Sequence, residues 1–228
     1  MNVPSPNALS AALHAYSWEP VPALPGRTNH QEAGVLVPLV WRDDTVFAVL
    51  TVRSTSLREH SGEVSFPGGR PDPSDPDLSH TAFREAGEEL GLIGGRKLGN
   101  MRSMPLLTSD WRLVPTVAQV PNGPWSPSPD EVASVVELDL RALLARPSWS
   151  GVAWPASYGF PPSPVFPLDI PGVPPLFGGS AHVLADLLAV FAGCMGVSVP
   201  PFDTTMWGWD ATAGRVVRLP SSSETAPS

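Results

Sequence analysis

This chain has almost no cysteine and almost no lysine. Cys194 is the single thiol in 228 residues, which excludes an intramolecular disulfide and a thiolate metal cluster and fits a reducing compartment. Lying within AVFAGCMG, it reads as a small core residue rather than a nucleophile. Lys97 stands alone beside thirteen arginines, a skew read as genome composition rather than function. There is no Lys/Arg run, and the net charge is −8, which argues against a duplex nucleic-acid binder. An anionic ligand must then be met by a metal and by local arginines. No apolar run approaches the roughly twenty residues of a membrane span. Residues 1 to 20 lack a basic segment followed by an apolar one, and Ala226-Pro227-Ser228 is not a peroxisomal address. The expectation is a soluble, cytoplasmic protein with no membrane partner.

With 42% hydrophobic residues, the chain is long enough for one buried α/β domain with extensions. Residues 1 to 30 are rich in Pro and Ala, with a weak helical pattern over 8 to 16. From Gly34, GVLVPLVWRDDTVFAVLTVRS reads as two strands joined at Arg42-Asp43-Asp44. Short strands are expected at 63 to 66 and 97 to 104, and a longer one at 112 to 120. EVASVVELDLRALL reads as a strand and then a short helix.

The most telling stretch is 66 to 92, FPGGRPDPSDPDLSHTAFREAGEELGL, a glycine-rich loop before a short helix. Asp75 or Asp77 suits its N-cap, Pro76 its first position, and Gly91 its left-handed stop. At about 100° per residue, Glu85, Glu88 and Glu89 fall on one arc, while Ala82, Phe83, Ala86 and Leu90 point to another. Carboxylates crowded on one face repel each other, a cost that makes sense where Mg²⁺ or a similar hard cation bridges them to phosphate oxygens. An ordinary solvated helix with an Arg84–Glu88 pair accounts for the cluster taken alone.

The cluster does not stand alone. Gly69, Asp75, Arg84, Glu85, Ala86, Glu88, Glu89, Gly91 and Leu92 resemble the Nudix box, G-x5-E-x7-R-E-U-x-E-E-x-G-U, with U apolar. Asp75 replaces the first Glu, and eight residues rather than seven separate it from Arg84. The extra residue falls in the loop before the helix. Upstream, LTVRSTSLREHSGEVSFPGG resembles the L-L-T-x-R-S-x3-R-x3-G-x3-F-P-G-G pattern of the coenzyme A diphosphatase branch, matching at Leu50, Thr51, Arg53, Ser54, Arg58, Gly62, Phe66, Pro67, Gly68 and Gly69. The Asp and the longer loop are also expected of that branch.

What the resemblance implies is a Nudix fold, an α/β (α+β) architecture with a mixed sheet sandwiched between helices, from about Gly34 to Gly193. It implies Mg²⁺ or Mn²⁺ held by Glu85, Glu88 and Glu89 with a carbonyl near Gly69. Glu85, Glu89 or Glu131 takes the proton of the attacking water, and Arg84 orients the glutamates. Coenzyme A is a multiply anionic ligand, and arginine forks bind such oxygens better than a lysine does. Arg53 and Arg58 lead as substrate contacts, followed by Arg70, with Ser54 and Phe66 from the same motif. The expected reaction is hydrolysis of coenzyme A or a thioester to 3′,5′-ADP and a 4′-phosphopantetheine product. The alternatives are the same chemistry on ADP-ribose or NADH, and a nucleotide sensor that does not cleave. A pure binder need not keep three mutually repelling acids, which argues against the sensor.

Residues 146 to 176 are dense in Pro and exclude a regular helix or a central strand, leaving a lid or a connector. Tyr158 and Phe160 there either pack over a base or anchor the loop. LFGGSAHVLADLLAVFAG has helical spacing at Val183, Leu184, Leu187, Leu188 and Phe191. It resembles the W-G-x-T-A-x-x-L opening of the branch's last helix, with MWGWDATAGRVV at 206 to 217 as a rival placement. The domain expectation is an extension over 1–33, the Nudix domain over 34–194, an added hairpin over 195–219 and a disordered tail over 220–228. The five histidines show no metal-ligand spacing.

Overall fold

The computed structural model describes residues 2–56, 60–154, 160–210, 212 and 215–220. In chain order the elements are α1 (Pro6–Ala15), β1 (Gln31–Arg42), β2 (Thr45–Arg53), β3 (Val64–Ser65), β4 (Gly68–Gly69), α2 (Leu78–Leu90), β5 (Arg96–Asn100), β6 (Met104–Pro105) and β7 (Trp111–Gln119). There follow β8 (Val132–Asp139), α3 (Leu140–Leu144), β9 (Trp149–Val152), β10 (Ser163–Val165), α4 (Gly179–Met195), β11 (Phe202–Asp210) and β12 (Arg215–Arg218).

The first eight strands form one mixed sheet. β1 and β2 make a hairpin whose turn uses a positive φ of 52° at Asp43, a conformation a short polar side chain tolerates. β1 runs parallel to β7 from Gln31–Trp111 to Leu39–Gln119, and the other pairings are antiparallel. Strand alternation splits the sheet's apolar residues between two cores. Leu36, Val40, Val49, Ala118 and Val120 meet Ala82, Ala86 and Leu90 of α2 on one face. Val35, Val37, Leu39, Leu50 and Val117 meet Leu184, Leu187, Leu188 and Phe191 of α4 and Leu9 and Leu13 of α1 on the other. Each fully buried Leu or Phe contributes about 1.5–3 kcal/mol, so the two cores fix α1, α2 and α4 against the sheet. The fold is the expected mixed sheet between helices.

Four features differ from the sequence reading. Helix α2 begins at Leu78, with the Asp77 side chain accepting from the His80 amide, so Pro76 precedes the cap. Gly91, at φ 66°, ends it as expected. The Pro-rich stretch is not a loop throughout: β9 and β10 join β11 and β12 in a second sheet, ordered β10-β9-β11-β12. The prolines permit this because β9 contains none and Pro164 sits on the edge strand β10. The added hairpin is therefore half of a sheet whose other half comes from residues 149 to 165. Cys194 is exposed, because the last turn of α4 carries Gly193 and Cys194 past the packed face.

α1, placed outside the domain by sequence, packs Leu9 and Leu13 into the main core, and Ser10 donates to the Leu98 carbonyl at 2.6 Å. At 206 to 210 the chain is strand, and the last helix opens at Gly179. Residues 221 to 228 of the tail, with Arg58 and Tyr158, lie outside the described residues. Among the described residues no helix is long and apolar enough to cross a membrane.

Candidate active site

The acidic face of α2 meets the glycine pair of β4. A Cβ on Gly69 would overlap the Glu85 carboxylate, so only glycine fits there while Glu85 keeps its position. One turn later Glu89 is 4% exposed, beneath the end of β2. Buried Thr51 donates its hydroxyl to the Glu89 carboxylate at 3.4 Å and to the Ser65 carbonyl at 3.3 Å. Burial pushes the Glu89 carboxyl up to about 7, with Glu85 and Glu131 adding to the rise and Arg53 and the Gly68 amide opposing it. Burial also raises Glu85, against the pull of Arg84. Two carboxylates from one helix thus share a partly dry pocket with Glu131 close enough to disfavour both charges.

Glu88 points elsewhere. Its side chain is 55% exposed and receives Arg84 Nη1 on both oxygens at 3.2 Å. Arg84 is the hub of this side of the site. Its Nε and Nη2 reach Asp75 at 3.1–3.3 Å, Nη2 donates to the Arg70 carbonyl at 2.9 Å, and Nη2 pairs with Glu85 Oε1 at 3.0 Å. The Asp75 side chain, 7% exposed, also accepts from the Thr81 hydroxyl. The Arg84 fork, aided by the Asp72 amide, holds the Asp75 carboxyl down at about 2. Arg84 is correspondingly raised, first by Asp75. The loop before the helix is thereby tied to the helix it precedes.

The remaining candidates scatter around this centre. Arg53 closes β2 with its Nε buried and, among the described residues, without a hydrogen-bond partner. Ser54 is buried, its amide donating to the Glu131 carbonyl at 2.8 Å and its hydroxyl paired with Ser56 at 2.9 Å. Glu131 is exposed just ahead of β8. Phe66, read as a substrate contact, is 3% exposed and belongs to the main core; its amide donates to Ser180 Oγ of α4 at 3.3 Å. Its place is under the loop, because the aromatic ring gains more from the core than from solvent. Arg70 is exposed, with its guanidinium 4.8 Å above the Trp111 ring.

Residue-by-residue reading gave no part to Thr51, Trp111 or Ser180. Thr51 carried a usable signal, since a lone hydroxyl inside the apolar run VFAVLTV must find a partner when the strand is buried. Trp111 and Ser180 come from segments distant in sequence; nothing local marks Trp111, and Ser180 is marked only as the residue at the Thr position of the W-G-x-T-A-x-x-L resemblance.

Whether this site suits a divalent cation is a question of donors. Among the described residues no three His, Cys, Asp or Glu side chains are grouped to hold a metal by themselves. Mg²⁺ asks for less: it keeps several waters and takes one or two carboxylates with the substrate's phosphate oxygens. Glu85, which Arg84 engages through one oxygen, and Glu89, which forms no ion pair among the described residues, are hard oxygen donors that fit that demand.

Residues 30–155 match the NUDIX domain. Proteins named as an uncharacterized Nudix hydrolase, NudL, from Yersinia pestis (strain Pestoides F) and Yersinia pseudotuberculosis (strain YPIII) are each 32% identical over 148 residues, covering 64% of this chain and 68% of theirs. A solved Nudix hydrolase from Alicyclobacillus acidocaldarius is 18% identical, covering 75% of this chain and 98% of its own, with a TM-score of 0.45. The NUDIX domain of Shewanella oneidensis NrtR, complexed with ADP ribose, is 18% identical over 59% of this chain and 85% of its own, with a TM-score of 0.41. The chain belongs to the NUDIX domain family, and its relatives at 32% identity are named as hydrolases.

Proposed function

We propose that this Nudix hydrolase cleaves the diphosphate of coenzyme A or its thioesters, releasing 3′,5′-ADP and a 4′-phosphopantetheine product. The observation that carries the reading is LTVRSTSLREHSGEVSFPGG, whose Thr51 and Arg53 border Glu89 and whose glycine pair borders Glu85. A motif matched for its arginines thus runs directly into the carboxylates of the box.

In this reading Glu85 and Glu89, with the Gly69 carbonyl, hold Mg²⁺ or Mn²⁺, and Glu88 joins them by exchanging its pair with Arg84. When bound, the cation neutralises the diphosphate and lowers the pKa of water. Arg53, with an Nε that lacks a partner among the described residues, donates to diphosphate oxygens, and Arg58 and Arg70 serve other anionic oxygens of the same ligand. Water adds to one phosphorus as the bridging P–O bond breaks. Glu85, Glu89 or Glu131 accepts the water's proton. Arg84 touches no substrate; it holds Asp75, Glu85 and Glu88 in place.

The test is product analysis of purified protein with Mg²⁺ or Mn²⁺ against coenzyme A, ADP-ribose, NADH and a dNTP, with Glu89→Gln alongside. Release of 3′,5′-ADP from coenzyme A, lost in Glu89→Gln, is the expected result. Faster turnover of ADP-ribose or NADH would overturn the substrate assignment and leave the hydrolase. Binding without turnover of any of them would make the protein a sensor.

A further inference from the structure

We propose that Arg70 and Trp111 form a second phosphate subsite, separate from the carboxylates, for a phosphate monoester that the substrate carries in addition to its diphosphate. The inference rests on the function proposed above and narrows the substrate class to nucleotides with two separate phosphate groups. Arg70 follows directly on Gly69, and the two point different ways. The Gly69 α-hydrogen in the position of a side chain faces Glu85, whereas the Arg70 guanidinium lies 4.8 Å above the Trp111 ring. Trp111 opens β7 and by strand alternation shares the face of Leu113, which packs against the core that α4 helps to build. Glu85 belongs to α2, on the other face. The diphosphate being cleaved sits with the carboxylates, so Arg70 serves a different group.

Arg70 is also prepared for that task. Among the described residues no carboxylate forms an ion pair with it, although acids outnumber bases in this chain by twenty-two to fourteen. Its backbone is fixed by the Arg84–Arg70 carbonyl bond at 2.9 Å, which ties it to the same hub that holds Asp75 and Glu85. The ring contact steadies the guanidinium without a carboxylate and so neutralises none of its charge. A planar fork held in this way matches a dianionic phosphate. Trp111 is thus a positioning residue that acts through Arg70.

The experiment is equilibrium binding of 3′,5′-ADP and of 5′-AMP, which differ by one phosphate monoester, to wild type, Arg70→Ala, Trp111→Ala and Trp111→Phe. The expected result is a preference of about ten-fold or more for 3′,5′-ADP in wild type. That preference falls to within about two-fold in Arg70→Ala and Trp111→Ala and is largely restored in Trp111→Phe, where a ring is kept. Equal binding of the two ligands by wild type would overturn the subsite. So would a preference that survives Arg70→Ala, a surface change that does not threaten folding. Because the readout is binding, absence of coenzyme A turnover would sink the proposed reaction while leaving this result to stand or fall by itself.

Discussion

The two sheets of this protein differ in what surrounds them. The eight-stranded sheet is covered on both faces, by α2 on one side and by α1 and α4 on the other, and its central strands are apolar almost throughout. The four-stranded sheet is short and irregular, with a register shift between Asp203 and Trp207, and it is held by aromatic contacts: Trp149 with Phe166 and Phe202, and Trp209 with Trp154 and Phe177. Acidic groups in the first sheet's neighbourhood are buried at a cost, whereas in the second Asp203 accepts from the Thr205 amide and Asp210 from the Thr212 amide. The apolar packing around it keeps Glu89 nearly dry and so disfavours its charged form. The proposed site lies beside the better-packed sheet, while Trp149 of the second sheet joins the main core.

The sharpest way to break this contrast is Glu89→Gln. Turnover should drop by about 10²–10⁴-fold, measured as product release with Mg²⁺. Stability should move the other way. The folded pKa of about 7 exceeds the ordinary 4.5, so the metal-free protein is more stable when Glu89 is protonated. Wild type therefore loses stability as pH rises from about 4.5 through 7, by on the order of 2–3 kcal/mol. Glu89→Gln should show no such loss, so urea melts in chelator at pH 8 should find the variant the more stable.

Trp149→Ala tests the other region. The side chain is 3% exposed and its indole donates to the Leu143 carbonyl at 2.9 Å, so truncation should cost about 3–5 kcal/mol. A calorimetric scan should show one lowered transition, because Trp149 belongs to the main core as well as to the second sheet. Two separate transitions would mean that the sheets unfold independently.

Gly69→Ala asks how tightly loop and helix are matched. The added methyl displaces the Glu85 carboxylate, at about 1–3 kcal/mol, and activity should fall more than stability does. Asp75→Asn gives the smallest effect. The Asp75 carboxyl, held at about 2, contributes stability that is complete above pH 4 and lost as pH falls from 3.8 through 2. Acid titration of the variant, followed by circular dichroism, should lack that component: the variant is the less stable at pH 7 and converges with wild type as pH falls from 3.8 through 2.

Much of the first region was legible. The alternating Val and Leu runs gave β1, β2 and β7, and the box gave a helix that closes at Gly91. The apolar positions of α4 were read correctly because a 3.6-residue period survives any context. Local pattern failed where the partner is remote. The Pro-rich stretch offers no period, and β9 exists because Phe202 to Asp203 of β11 pair with it some fifty residues later in the chain. Phe66 sits in a motif whose other members line a site, and its sequence neighbours cannot say that α4 claims the ring's side of the loop.

The amino-acid order by itself determined which carboxylates share a helix face, where that helix stops and which glycines precede it, because spacing fixes angle along a helix and composition fixes backbone freedom. Only the tertiary structure decided that Glu89 lies buried under Thr51 while Glu88 keeps to the surface in the Arg84 pair that its spacing allows. It also decided that Asp75 bonds the arginine it precedes by nine positions, and that Arg70 rests on Trp111. The physical reason is the same in each case. A charge takes its behaviour from what excludes water around it, and in a folded chain those atoms come from segments that the sequence keeps far apart.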